Sequence, residues 1–297
     1  MILLTVFLIA LILGVLLIRA EKGTRLYEFK ILLAFWYQLF TYKVKKMKEE
    51  RYRYGEHWRQ YFLLLKPDED EKLKNQVILY FHGGGWRLGK PEFFRVHAQL
   101  FVKKGYTVIM PSHRRIPLYS YKHMREDLNL LMQKLDKVLE KEQIADRKII
   151  LGGASSGANL AAHLLYNRSE LAGCSWSQAR FSGIFLLAAP LDLTKMKSSL
   201  VTESYIGWQK EETIQIASPI SYLEEDETTP VLCVHGEKDG IVEYATTLSF
   251  VEKIRKINPA IVQFHTLKGG THLDVSRWGY RMDELQSILL TWLKQFE

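Results

Sequence analysis

The sequence predicts an α/β protein, a mostly parallel sheet with helices on both faces, and three observations predict it. Short runs of β-branched and other apolar residues recur from about residue 77 onward, each nearly continuous in its hydrophobicity, as strands buried on both sides must be. The stretches between them are amphipathic with a helical period. Several of the runs end in glycine-bearing turns that carry a serine, an aspartate or a histidine, and in open parallel sheets functional loops gather at the carboxyl ends of the strands.

With 297 residues, the chain is long enough for one large α/β domain or two small ones. Its apolar share of 47% and charged share of 25% are those of an ordinary globular protein. The net charge of +8 is unevenly placed: residues 1–60 hold eleven Lys and Arg against five Asp and Glu, which accounts for six of the eight charges. The remainder is close to neutral, which argues against a nucleic-acid-binding face and for an N-terminal segment beside anionic lipid. Cys174 and Cys233 stand in unrelated contexts, so neither a disulfide framework nor a cysteine metal site is expected.

Met1 to Ile18 carries no charged side chain. As a helix it would extend about 27 Å, enough to cross a bilayer core. It lacks the basic start and small-residue cleavage site of a signal peptide, so residues 1–20 are expected to be an uncleaved transmembrane anchor. The basic flank Arg19, Lys22, Arg25 and Lys30 follows the apolar run, which predicts a single-pass membrane protein with its main domain facing the cytoplasm.

Residues 21–73 form a basic, aromatic segment. Phe29, Leu32, Phe35, Trp36 and Leu39 fit either a helix lying in the membrane interface or a helix capping the main domain, or both on opposite faces. Glu49 to Arg59 is highly charged and reads as solvated, and Lys66 to Lys72 reads as a loop. The main domain is expected at 74–297, with strands near 77–81, 106–110, 148–151, 183–187, 231–234 and 261–264. Helices are expected near 94–104, 121–141, 157–167, 245–257 and 279–296. Residues 194–222 break the alternation and suggest a small inserted cap.

The motifs lie at the ends of the expected strands. Gly153-Ala154-Ser155-Ser156-Gly157 joins a strand to a helix; small neighbours on both sides of Ser155 suit a sharp, strained turn that lifts a hydroxyl out of the sheet. His82-Gly83-Gly84-Gly85-Trp86 offers backbone N–H groups with no side chains in the way, as an oxyanion hole requires. Asp239 sits in a glycine-flanked turn after the run at 231–234, and His272 follows Gly269-Gly270-Thr271. An imidazole can take a proton from a serine and return it to a leaving group. Together they supply nucleophile, orienting acid and base in the chain order Ser, Asp, His. His82 reads as structural within its loop, His97, His163 and His265 as structural within elements, and the loop between His113 and His123 as surface. Neither metal-ligand spacing nor a phosphate-cradling motif with its lysine is present, so no metal and no cofactor is expected.

From about residue 74 to 296 the chain resembles the α/β-hydrolases, and within them it is similar to the hormone-sensitive-lipase-like carboxylesterases and the formamidase-like enzymes, which share the His-Gly-Gly-Gly loop. The resemblance implies an α/β-hydrolase fold, with Ser155 as nucleophile, His272 as general base and then acid, and Asp239 as the group that orients His272. It also implies the N–H groups of Gly84, Gly85 and Ser156 as the oxyanion hole. Two departures from the pattern stand out: Ala154 and Ser156-Gly157 stand where lipase-like members carry an acidic residue before the nucleophile and Ala-Gly after it, and Glu243 where a proline is usual. The expectation is a membrane-anchored serine hydrolase acting on small or amphiphilic carboxylic esters through an acyl-enzyme. An amidase or deacetylase would use the same triad, and a hydrolase-like binding protein would keep the fold without the reaction.

Overall fold

The structure, a computed structural model, describes Gly14 and residues 19–68, 73–207, 210–280 and 284–297. The apolar segment at 1–18 therefore lies outside the described residues, apart from Gly14. Among the described residues no helix is long and apolar enough to cross a membrane.

Helix α1 (Arg25–Thr41) comes first, capped by the Thr24 hydroxyl, and strands β1 (Lys48–Arg53) and β2 (Tyr61–Lys66) follow it. The alternation then begins with β3 (Gln76–Phe81), α2 (Arg95–Val102), β4 (Thr107–Pro111), α3 (Tyr121–Lys141), β5 (Lys148–Ala154) and α4 (Ser156–Tyr166). A short α5 (Arg168–Gly173) leads to β6 (Phe181–Leu187), and two further short helices follow, α6 (Leu200–Ile206) and α7 (Lys210–Ile216). The chain closes with β7 (Val231–Gly236), α8 (Tyr244–Ile257), β8 (Val262–Leu267), α9 (His272–Ser276) and α10 (Glu284–Leu293).

The eight strands form one sheet in the order β1-β2-β4-β3-β5-β6-β7-β8. β1 and β2 are antiparallel, as are β2 and β4; every other pairing is parallel. Side chains alternate between two cores, as the period of two along a strand dictates. From β3, Val77, Leu79 and Phe81 enter the core shared with Leu128, Leu131 and Leu135 of α3 and with Ala158, Ala161 and Ala162 of α4. Ile78 and Tyr80 face the opposite core, with Phe101 of α2 and Leu289 and Trp292 of α10. Gly152 in mid-strand is explained by its neighbour: a Cβ there would lie 1.9 Å from the Phe185 ring of β6.

The six expected strands and the helix at 121–141 are present close to their expected bounds. The N-terminal third differs, because the sheet begins at Lys48 and so takes in two strands ahead of residue 74. Glu49 to Arg59, read as solvated, contains most of β1. Its charged side chains are exposed, yet its backbone pairs with β2 in register from Lys48↔Lys66 to Arg53↔Tyr61. Exposed charge is what an edge strand needs to resist pairing with other chains, so composition alone could not separate this strand from a solvated loop. Helix α1 caps the second core through Phe35 and Leu39, while Tyr37 on its outer side is 72% exposed. The cap at 194–222 is tied down at Tyr205, whose ring stacks on Trp86 at 3.9 Å and whose hydroxyl donates to Asn159 Oδ1 at 2.7 Å.

Candidate active site

Ser155 stands between β5 and α4 with φ 51° and ψ −127°, a left-handed conformation that costs a non-glycine residue energy. Its N–H donates to Leu187 O at 2.7 Å, which fixes the turn to β6. The flanking glycines are steric necessities. A Cβ on Gly153 would meet Ala158 N at 2.6 Å, and one on Gly157 would meet Phe81 O at 2.3 Å.

His272 is placed by the end of β8. Thr271 caps α9, with Asp274 completing a capping box, so His272 is the first residue of that helix. Its loop abuts the loop after β7: Lys238 N–H donates to Gly270 O at 2.8 Å. Within this contact His272 Nδ1 lies 2.7 Å from Asp239 Oδ2, and His272 Nε2 lies 2.9 Å from Ser155 Oγ. A carboxylate only accepts, so Nδ1 carries the hydrogen and Nε2 is left to accept from the Ser155 hydroxyl.

The Asp239 side chain is wholly buried, and its partners account for its charge. Oδ1 accepts the N–H groups of Ile241 at 2.9 Å and Val242 at 2.8 Å. Oδ2 faces both His272 and the Nε2 of His235, the latter at 3.2 Å. Burial would raise the carboxyl pKa, but the His272 charge and the hydrogen bonds from His235 and His272 prevail and hold it well below the usual range. For His272, burial favours the neutral ring; the Asp239 charge and hydrogen bond, with the charge of Glu28, outweigh it and raise the pKa above the ordinary 6.5.

Gly84 and Gly85 occupy left-handed conformations, φ 141° and 60°, and line the same cavity as Ser155 and His272. Among the described residues neither gives its N–H to an acceptor. Ser156 opens α4, so its N–H has no acceptor within the helix. Gly84 and Gly85 thus line the cavity together with Ser155, and Ser156 follows Ser155 in the chain. The cavity measures about 350 Å³. Its walls are mostly apolar, with Phe29, Leu32, Phe35 and Trp36 of α1 on one side and Val201 and Val242 on another.

The remaining histidines sit elsewhere. His82 is buried with Nδ1 2.8 Å from Gly83 O, and burial beside His113 pushes its pKa down to about 3. His113 is buried at the start of the loop expected at the surface, whose tip at Pro117 and Leu118 is exposed, and His123 completes the cap of α3 at Ser120. Among the described residues no group of three or more His, Cys, Asp or Glu is arranged to hold a metal. Sequence reasoning missed Glu28, whose carboxylate accepts the His272 backbone N–H at 2.7 Å, and gave no role to His235. One signal for Glu28 was present: Glu28, Leu32, Phe35 and Leu39 are spaced four, three and four apart, which puts the acid on the apolar stripe of α1.

Residues 64–254 match the family model described as BD-FAE. An esterase of Fusarium pseudograminearum (strain CS3096) is 23% identical over 168 residues, and the match covers half of this chain and half of that protein. The fold is that of a truncated carbohydrate esterase from gut microbiota, with TM-score 0.72 at 15% identity over 85% of this chain and 98% of that one. It is equally that of esterase B from Lactobacillus rhamnosis inhibited with a tributyrin phosphonate, with TM-score 0.73 at 18% identity over 91% and 92% of the two chains. At such identities the likeness shows the fold, and the fold is that of the α/β-hydrolases.

Proposed function

The chain belongs to the BD-FAE family, and from that premise we propose that it is a serine hydrolase that cleaves carboxylic esters through an acyl-enzyme. One observation carries the reading: the continuous hydrogen-bonded line from Asp239 through His272 to Ser155, ending at an apolar cavity.

The reaction follows from these contacts. Ser155 Oγ attacks the ester carbonyl carbon and its proton passes to His272 Nε2. The carbonyl π pair moves onto oxygen, and the N–H groups of Gly84, Gly85 and Ser156 stabilise that charge. Asp239 keeps Nδ1 protonated and stabilises the imidazolium. When the intermediate collapses, the bond to the alcohol oxygen breaks and Nε2 returns its proton to the leaving alcohol. Water then attacks the acyl-enzyme and gives a proton to Nε2. The second collapse frees the acid and restores the Ser155 hydroxyl.

The apolar cavity takes the acyl group. Hydrolysis of p-nitrophenyl esters from acetate to palmitate, by the wild type beside Ser155→Ala, tests the reading. A maximum at medium chain length, abolished in the variant, supports it; full activity in Ser155→Ala overturns it.

Residues 1–20 serve as a membrane anchor in this reading, with the catalytic domain on the cytoplasmic side and amphiphilic esters drawn from the bilayer. The charge-free run and its basic flank support this. Deletion of 1–20 should release the protein from membranes, and protease protection of the domain in sealed cytoplasmic-side-out vesicles would refute the orientation.

A further inference from the structure

We propose that Glu28 is a positioning residue for this reaction: its carboxylate ties the Asp239 and His272 loops to helix α1 and sets a second negative charge behind the imidazole. The proposal rests on the assignment of Ser155, His272 and Asp239 in the preceding subsection.

Glu28 is completely buried. Its Oε1 accepts the backbone N–H of His272 at 2.7 Å and that of Gly240, the neighbour of Asp239, at 3.2 Å. Its Oε2 accepts Leu273 N–H at 3.4 Å. One carboxylate thus bridges the residue after the orienting acid and the base itself. A structural cap for α9 could be made by a neutral acceptor, without the several kcal/mol that desolvating an ion costs. The charge is therefore explained by what stands beside it.

Among the described residues, Arg25 and Arg87 line the same cavity as His272, and the remaining charged groups around the imidazole are few. Asp239 binds Nδ1, and His235 lies beyond it on the same carboxylate oxygen. Lys22 and Asp274 pair with each other at 3.8 Å and are both partly exposed. Glu28 and Asp239 are the two anions whose charge bears on His272. Attack by Ser155 creates an imidazolium each time, and both carboxylates favour it. Burial raises the pKa of Glu28 itself, with the Asp239 charge adding to this; the His272 and Gly240 N–H groups and the His272 charge pull it back.

The test uses the full chain as wild type, Glu28→Gln, Glu28→Ala and Ser155→Ala. Gln retains the shape and an acceptor oxygen but not the charge. NMR titration of labelled histidines, with His272 assigned by its loss in His272→Asn, should show its pKa falling by about one pH unit in Glu28→Gln. Ester turnover should fall about tenfold in kcat for Gln and about a hundredfold for Ala, with KM within about twofold, because the loss is in the transition state. An unchanged His272 titration in Glu28→Gln, together with wild-type kcat per folded molecule, would overturn the proposal. Should Glu28→Ala fail to fold, Glu28→Gln still decides. Persistent turnover in Ser155→Ala would instead remove the serine mechanism, so the two failures are told apart.

Discussion

His235 Nε2 lies 3.2 Å from Asp239 Oδ2, the same oxygen that takes the Nδ1–H of His272 at 2.7 Å. The Asp239 carboxylate is therefore held between two imidazoles, one from β7, the strand that precedes it, and one from the first turn of α9. His235 is itself fixed by Thr247 Oγ1 at 2.8 Å and by Val242 O at 3.1 Å from Nε2. Replacing His235 with Phe leaves a buried carboxylate short of one partner. Stability should fall by about 2–4 kcal/mol and kcat/KM by roughly tenfold or more. Urea unfolding and steady-state kinetics on the same samples would check both; a variant with wild-type values would show that the contact carries no energy.

The pH profile follows from the raised pKa of His272. The ring acts as a base only when neutral, and a raised pKa means that a higher pH is needed to deprotonate it. The acid limb of kcat/KM should therefore reach half its maximum above pH 6.5. Asp239→Asn removes the principal raising charge and the tautomer control, so its limb should move down and its kcat should drop by about 10³–10⁴-fold. A limb that stayed in place in Asp239→Asn would exclude this carboxylate as the cause.

Stability against acid carries a defined sign. Asp239 is held below its ordinary pKa of 3.8 in the folded protein, so it stabilises the fold above that pH and the contribution is lost as pH falls through the folded value. Glu28 is raised above 4.5, so between 4.5 and its folded value it opposes folding more as pH rises. Chemical unfolding from pH 3 to 7 should show Asp239→Asn losing less stability than wild type at the acid end. In Glu28→Gln the opposing slope should vanish.

Gly157→Ala tests the turn at the nucleophile. The added methyl would lie 2.3 Å from Phe81 O and 2.4 Å from His82 O, both main-chain atoms that cannot swing away. A loss of about 3 kcal/mol or more is expected, with ester turnover abolished even in the folded fraction. Ser155 labelling by a fluorophosphonate would report the second effect separately from the thermal midpoint.

Leu32 of α1 and Ser155 line one cavity, so bulk added at residue 32 shortens the space for the acyl group. Leu32→Trp should shift the preferred p-nitrophenyl ester toward shorter chains by about two to four carbons, with acetate turnover within about twofold of wild type. An unshifted optimum would place the acyl chain elsewhere.

The loops of the candidate site were legible because each follows an apolar run and begins or ends in glycine, so that local pattern alone placed Ser155, Asp239 and His272 at strand ends. Those residues then meet because the sheet order puts β5, β6, β7 and β8 side by side. Glu28 was hidden for the opposite reason. It lies 244 residues from His272 and acts on its backbone, a contact no local spacing encodes. β1 was missed because its charged residues KEERYR show no alternation, and its strand state is imposed by pairing with β2. His235 lay in view beside Asp239, but only the tertiary turn aims its ring at the carboxylate.

The cavity wall on α1 allows selectivity and reactivity to be inherited separately. Residues 25–41 contribute no strand and none of the proposed nucleophile, base or oxyanion donors, yet five of them line the cavity beside Ser155. With the cavity taking the acyl group as proposed, substitutions confined to that one helix, with residue 28 kept as Glu, would retarget the enzyme among acyl groups while the proposed proton path stays intact. A lineage carrying this fold can thus change its diet by editing a single N-terminal helix.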